Sequence, residues 1–212
     1  MRIVDIPLRF ARCQLVIADV PTLVDAGSAG DTRSVLAVIG REGLSVSQVG
    51  RIILTHGDGD HIGGATELQR LSGAEVVAHQ DERPYLEGRV PAGFSIVKRM
   101  VVAIGSRGPR PHIDRWVTGG EVIDGLEVAH SPGHTPGSIC VYAGDAILAG
   151  DAFRTGARFE EVPSLMSANV ARSRASIRAL AQRPVGRAFS GHGPPADGAD
   201  ARLRSLVQRL RA

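Results

Sequence analysis

Cysteine, lysine, aromatic residues and long apolar runs are all scarce in this chain of 212 residues. Its two cysteines, Cys13 and Cys140, have no C-x-x-C spacing, which excludes a disulfide scaffold and points to a reducing compartment. Aromatics make up 4% of the residues, too few for a surface built to stack bases. Of the 25 basic residues, 24 are arginine and one, Lys98, is lysine, a compositional bias spread along the chain. Acids interleave with the arginines to leave a net charge of +3, and Arg172, Arg174 and Arg178 read as the solvated face of a helix. No nucleic-acid partner is therefore expected. No apolar window approaches the roughly 20 residues that a membrane helix needs, and the first ten residues do not read as an export signal. The expectation is a cytoplasmic protein without a membrane partner, either a monomer or a homodimer.

What is present is ordinary for a folded protein: 43% hydrophobic and 22% charged residues, enough for a real core and too apolar for disorder. Residues 11–18 and 22–25 read as strands, 32–40 as a helix capped by Asp31 or Thr32, and 51–55 (RIILT) as a strand buried on both faces. A helix at 65–71 ended by Gly73 and a strand at 74–79 complete a βαβ unit with parallel pairing. From Glu82 to Gly119 the pattern degrades. Pro84, Pro91, Pro109 and Pro111 punctuate it, and Phe94, Val97, Val101 and Ile104 suggest a short amphipathic helix, so this segment is expected to cover a cleft. Strands follow at 125–130, 138–143 and 146–148, then a helix at 169–181 with Ser167 as its cap, a strand at 186–189 and a closing helix at 200–210. No linker or short-period repeat divides the chain, so residues 1–212 read as one domain.

The chemistry gathers after the strands. His56, Asp58, Asp60 and His61 place four metal-type ligands within six residues directly after RIILT, separated by Gly57 and Gly59, whose freedom to take positive φ suits a tight ligand loop. A polar Gly/Asp turn is the bland alternative for these residues taken alone. Three further strand ends carry His134 in Ser131-Pro132-Gly133-His134-Thr135-Pro136-Gly137-Ser138, Asp151 in Leu148-Ala149-Gly150-Asp151, and His192 in Ser190-Gly191-His192-Gly193. Active-site residues are expected at such places on a rigid scaffold. His79 and His130 read as structural or supporting groups and Cys140 as core, while His112 falls in the irregular segment. Phe153, Arg154 and Arg158 follow Asp151 and either face substrate or lie in a solvated loop.

In order and spacing these loops resemble the metallo-β-lactamase superfamily, with its T-H-x-H-x-D-H loop, its P-G-H-T-x-G-S turn, a G-D turn and a final G-H loop. Leu23-Val24-Asp25-Ala26-Gly27 is similar to the family's early strand and turn. The resemblance implies an α/β fold, a four-layer αβ/βα sandwich of two mixed β-sheets with helices on the outer faces. It also implies two divalent ions, zinc first, the first held by His56, Asp58 and His134 and the second by Asp60, His61 and His192, with Asp151 bridging. Asp58 stands where the family has histidine. The extra carboxylate makes the pair less electron-poor and opens the site to manganese or iron.

The reaction implied is hydrolysis of an ester, lactone or thioester bond in a small molecule by metal-activated water, with Asp60 orienting that water. The short span from Asp151 to His192 is similar to that of small lactonase-like members. Two other readings stand beside it: a mononuclear iron oxidoreductase of the persulfide dioxygenase type, and a low-turnover binding member of the fold.

Overall fold

The computed structural model describes residues 1–90, 93–105 and 108–210. Among them two six-stranded sheets lie face to face. The first runs in chain order, β1 (Arg2–Pro7), β2 (Arg12–Ile17), β3 (Thr22–Val24), β4 (Arg51–Ile53), β5 (Glu75–His79) and β6 (Arg115–Val117), antiparallel through β3 and parallel from β3 to β6. The second comprises β7 (Val122–Ile123), β8 (Leu126–His130), β9 (Ile139–Ala143), β10 (Ala146–Leu148), β11 (Arg187–Phe189) and β12 (Ala196–Asp197), adjacent strands pairing antiparallel except β10 with β11.

Alternation along the strands builds the layers. On β4, Ile53 joins Val16, Val24 and Val77 in the core between the sheets, against Val128, Val141, Leu148 and Phe189 of the second sheet. Its neighbour Ile52 points the other way, into the core beneath the helices α1 (Thr32–Arg41) and α3 (Ala65–Ser72). Likewise Cys140 and Tyr142 of β9 face a third core with Ile177, Leu180, Leu203 and Leu206 of the helices α6 (Val170–Leu180) and α7 (Ala199–Arg209). This is the expected four-layer sandwich.

Two one-turn helices, α2 (Gly59–Ile62) and α4 (Arg83–Leu86), and the longer α5 (Ile96–Gly105) lie at the end of the sandwich where β3, β4, β8, β10 and β11 finish. The expected cap of α6 moves: Asn169, not Ser167, accepts the Arg172 amide on its side chain at 2.9 Å. The edge strand β1, half-exposed along most of its length, has no counterpart in the sequence reading, nor do the short β6, β7 and β12. Pro91 and the side chains of Val101 and Ile104 lie outside the described residues. No helix among the described residues is long and apolar enough to cross a membrane.

Candidate metal centre

All seven sequence-predicted ligands converge at this edge. His56 and Asp58 leave β4, and α2 turns Asp60 and His61 back toward them, its start held by His61 N donating to Asp58 O at 2.9 Å. Gly57 and Gly59 do not take the positive φ that the ligand spacing suggested. Gly57 serves close packing instead, since a Cβ there would lie 2.7 Å from the Tyr85 ring and 3.0 Å from a Glu82 carboxylate oxygen. The two sheets are tied together at this edge by Ile139 N donating to Thr55 O at 2.9 Å and Arg12 N donating to Gly191 O at 2.9 Å.

The donor atoms form two groups with Asp151 between them. In the first, Asp58 Oδ2 lies 3.5 Å from His56 Nε2 and 3.0 Å from His134 Nε2. In the second, His192 Nε2 lies 3.4 Å from Asp60 Oδ2. Asp151 reaches both, 3.5 Å from His61, 3.6 Å from His134 and 3.3 Å from His192. His56 Nε2, His61 Nε2 and Asp151 Oδ1 are buried without a hydrogen-bond partner, and these three residues can offer ligand atoms within 4.8 Å of one another. Orphaned buried donors facing one another are costly unless something binds there, so the space between His56, His61 and Asp151 fits a cation.

Supporting groups set the protonation. Asp25 Oδ2 lies 2.7 Å from His61 Nδ1, which leaves Nε2 to face the centre. Burial acts to lower the His61 pKa, but the carboxylates of Asp25 and Asp151 overcome it and push it up to about 10 in the metal-free protein. Burial would raise the Asp151 carboxyl, yet His61, His192 and His134 hold it well below the usual carboxylate range. Asp58 is depressed in the same way, burial being outweighed by its neighbours His134 and His56.

Three residues to which the sequence reading gave no site role complete the site. Glu82, fully buried, accepts the Gly57 amide on Oε2 and the Gly137 amide on Oε1, each at 2.8 Å, clamping the His56 loop to the His134 loop. Tyr85 donates its hydroxyl to Asp58 Oδ1 at 2.6 Å. Lys98, fully buried on α5, donates to Asp58 Oδ2, and its Nζ lies 3.2 Å from His134 Nε2. That nitrogen serves one neighbour at a time, accepting from Lys98 or donating to Asp58. Lys98 thus engages two of the three donor atoms of the first group, which as it stands does not fit an ion. The one sequence signal was that Lys98 is the sole lysine in a chain of arginines.

Above the donors opens a cleft of about 650 Å³. Phe10, Ala29, Val102, Val162, Pro163 and Met166 make its apolar wall, with Asp58, Asp60, His134, Asp151 and His192 at one end and Arg154 also lining it. The segment from Glu82 to Gly119 contributes Tyr85 and Val102, whereas Phe94 is buried behind, against Tyr85. Phe153 is core, 5.3 Å from the Phe159 ring, and Arg158 is exposed beside Glu160. Cys140 is buried, its thiol pushed up to about 12 by burial, unsuited to act as a nucleophile. His79 and His130 stack with centroids 3.9 Å apart, joining the sheets.

The family model described as the metallo-beta-lactamase superfamily matches residues 15–192. The probable metallo-hydrolase YflN of Bacillus subtilis is 30% identical over 190 residues, covering 77% of this chain and 72% of that protein. A hydroxyacylglutathione hydrolase of Methylobacillus flagellatus is 31% identical over 167 residues, covering 77% of this chain but 55% of that protein. Among solved structures, TTHA1623 in a di-iron-bound form superposes with a TM-score of 0.72 at 27% identity, covering 94% of this chain and 98% of that one.

Proposed function

The chain belongs to the metallo-beta-lactamase superfamily, and from that premise we propose that it is a metal-dependent hydrolase of an ester, lactone or thioester bond in a small molecule with an apolar acyl part. The observation that carries this reading is the set of unpartnered donors, His56 Nε2, His61 Nε2 and Asp151 Oδ1, at the end of an apolar cleft. A divalent ion held among His56, His61 and Asp151, with Asp60 and His192 beside them, would supply Lewis acidity and an activated water. Zinc, manganese and iron all suit a set of imidazoles and carboxylates.

The residues of the chain do the rest. Asp60, half-buried and lining the cleft, accepts a hydrogen bond from water and so aims the water oxygen at the carbonyl carbon. Val102, Val162 and Met166 receive the acyl chain and keep bulk water from it. Arg154 offers a charge to a substrate carboxylate at the cleft. The hydroxyacylglutathione hydrolase relatives support a thioester, while the cleft's volume suits a ligand of drug-like size.

One observation favours a second reading, a single-iron enzyme that consumes oxygen: Lys98 closes the first donor group and leaves one open position. A panel of lactones, thioesters and aryl esters, together with a persulfide, run with metal-reconstituted protein beside an oxygen electrode, tests both. Hydrolysis without oxygen uptake is expected. Oxygen uptake with a persulfide and no hydrolysis of any panel member would replace the first reading with the second.

A further inference from the structure

We propose that the ammonium of Lys98 is the built-in occupant of the first donor group, so that the chain takes up one divalent ion where its seven ligands would suggest two. The inference rests on the reading of this site as a metal centre and adds to it the number of ions the centre holds.

Geometry carries it. Nζ bonds Asp58 Oδ2 and sits 3.2 Å from His134 Nε2, two of the three donor atoms that a first ion would use. Such an ion binds nitrogen and oxygen donors at about 2.0–2.2 Å, so it competes with Nζ for the same lone pairs and the same space. A divalent ion placed directly against the ammonium, between Asp58 and His134, would also be repelled strongly at that short range.

The ammonium is held where it sits. Lys98 is fully buried, the Phe94 ring centroid lies 5.3 Å from Nζ, and Asp58 is fixed from its other oxygen by the Tyr85 hydroxyl at 2.6 Å. A buried charge is tolerated only when paired, and this one is paired with a carboxylate and faces an aromatic ring. Ser95, just before α5, donates to Leu165 O at 2.6 Å and accepts the Lys98 amide at 3.0 Å, anchoring the helix that carries the lysine. The residue type fits as well. A compact ammonium fills an ion-sized space, whereas the planar guanidinium used at the other 24 basic positions is too broad.

The test counts ions. The full chain, stripped with chelator, is offered zinc, manganese and iron(II) separately in excess, and bound metal is read by native mass spectrometry. Wild type is expected to stop at one ion per chain and Lys98→Met, which keeps the stem and removes the charge, to take two. Two ions on wild type, or one on a folded Lys98→Met, overturns the inference. Because Lys98 is the one lysine, acylation of amines followed by peptide mapping reads its position in wild type even if the variant does not fold. It is expected to stay unmodified before and after metal loading, and modification after loading, meaning that the ion has ejected it, overturns the inference too. No ion on either protein would overturn the metal-centre reading itself.

Discussion

Asp25 Oδ2 lies 2.7 Å from His61 Nδ1, and this contact decides which nitrogen of His61 faces the centre. The same carboxylate accepts the Thr55 amide and hydroxyl, each at 2.8 Å, from a backbone at φ 64° that asparagine also tolerates. Asp25→Asn should therefore fold but bind metal about 10–100-fold more weakly, as expected when a carboxylate behind a ligating histidine is neutralised. Competition with a chromophoric chelator checks it. Unchanged affinity would leave Asp25 as a fold residue only.

A second prediction concerns the clamp between the ligand loops. Glutamine at 82 can accept one of the two amides that Glu82 holds, and it turns its NH₂ toward the other. Glu82→Gln should cost about 1–3 kcal/mol, the penalty for a buried donor left unsatisfied, read from urea unfolding. A loss below about 0.5 kcal/mol, the scatter of neutral surface changes, would contradict the clamp.

Gly191 lies against the donors themselves. A Cβ at this position would stand 2.4 Å from His61 Cε1 and 2.5 Å from Asp151 Oδ1, so Gly191→Ala must push one of the two aside. Metal affinity should fall by about tenfold or more, equivalent to about 1.4 kcal/mol. Alanine with wild-type affinity would mean that neither His61 nor Asp151 binds the ion.

Away from the centre, Glu121 provides a pH-dependent contribution. Slight burial acts to raise its pKa, but the Thr118 and Gly119 amides and the Thr118 hydroxyl donate to its carboxylate and bring it from 4.5 to about 2. A carboxyl depressed in the folded state stabilises above its unfolded pKa, and that stabilisation is lost as pH falls from about 4.5 toward 2. Thermal melts of wild type and Glu121→Gln should differ at pH 6 and converge near pH 2; a constant difference would show that charge plays no part.

The ligand loops were legible because histidines and aspartates follow apolar strands and are spaced by glycine, a local pattern. RIILT reads as a doubly buried strand from its apolar run alone, and β4 is one. What stayed hidden depends on contacts distant in sequence. Glu82, Tyr85 and Lys98 lie 25, 27 and 40 residues from their partners in the His56–Asp58 loop, inside a segment that prolines interrupt. β1 escaped notice because an edge strand that is half-exposed carries little apolar contrast. Asn169 displaced Ser167 as a cap because both types cap well, so residue type alone does not choose between them.

The most direct measurement is the rate of hydrolysis of the best panel substrate against equivalents of divalent ion added to chelator-stripped protein. The stripped protein should be inactive, with the rate rising in proportion to the first equivalent and then levelling off. Full activity in stripped protein, unchanged by added ion, would contradict a metal-dependent hydrolase at this site.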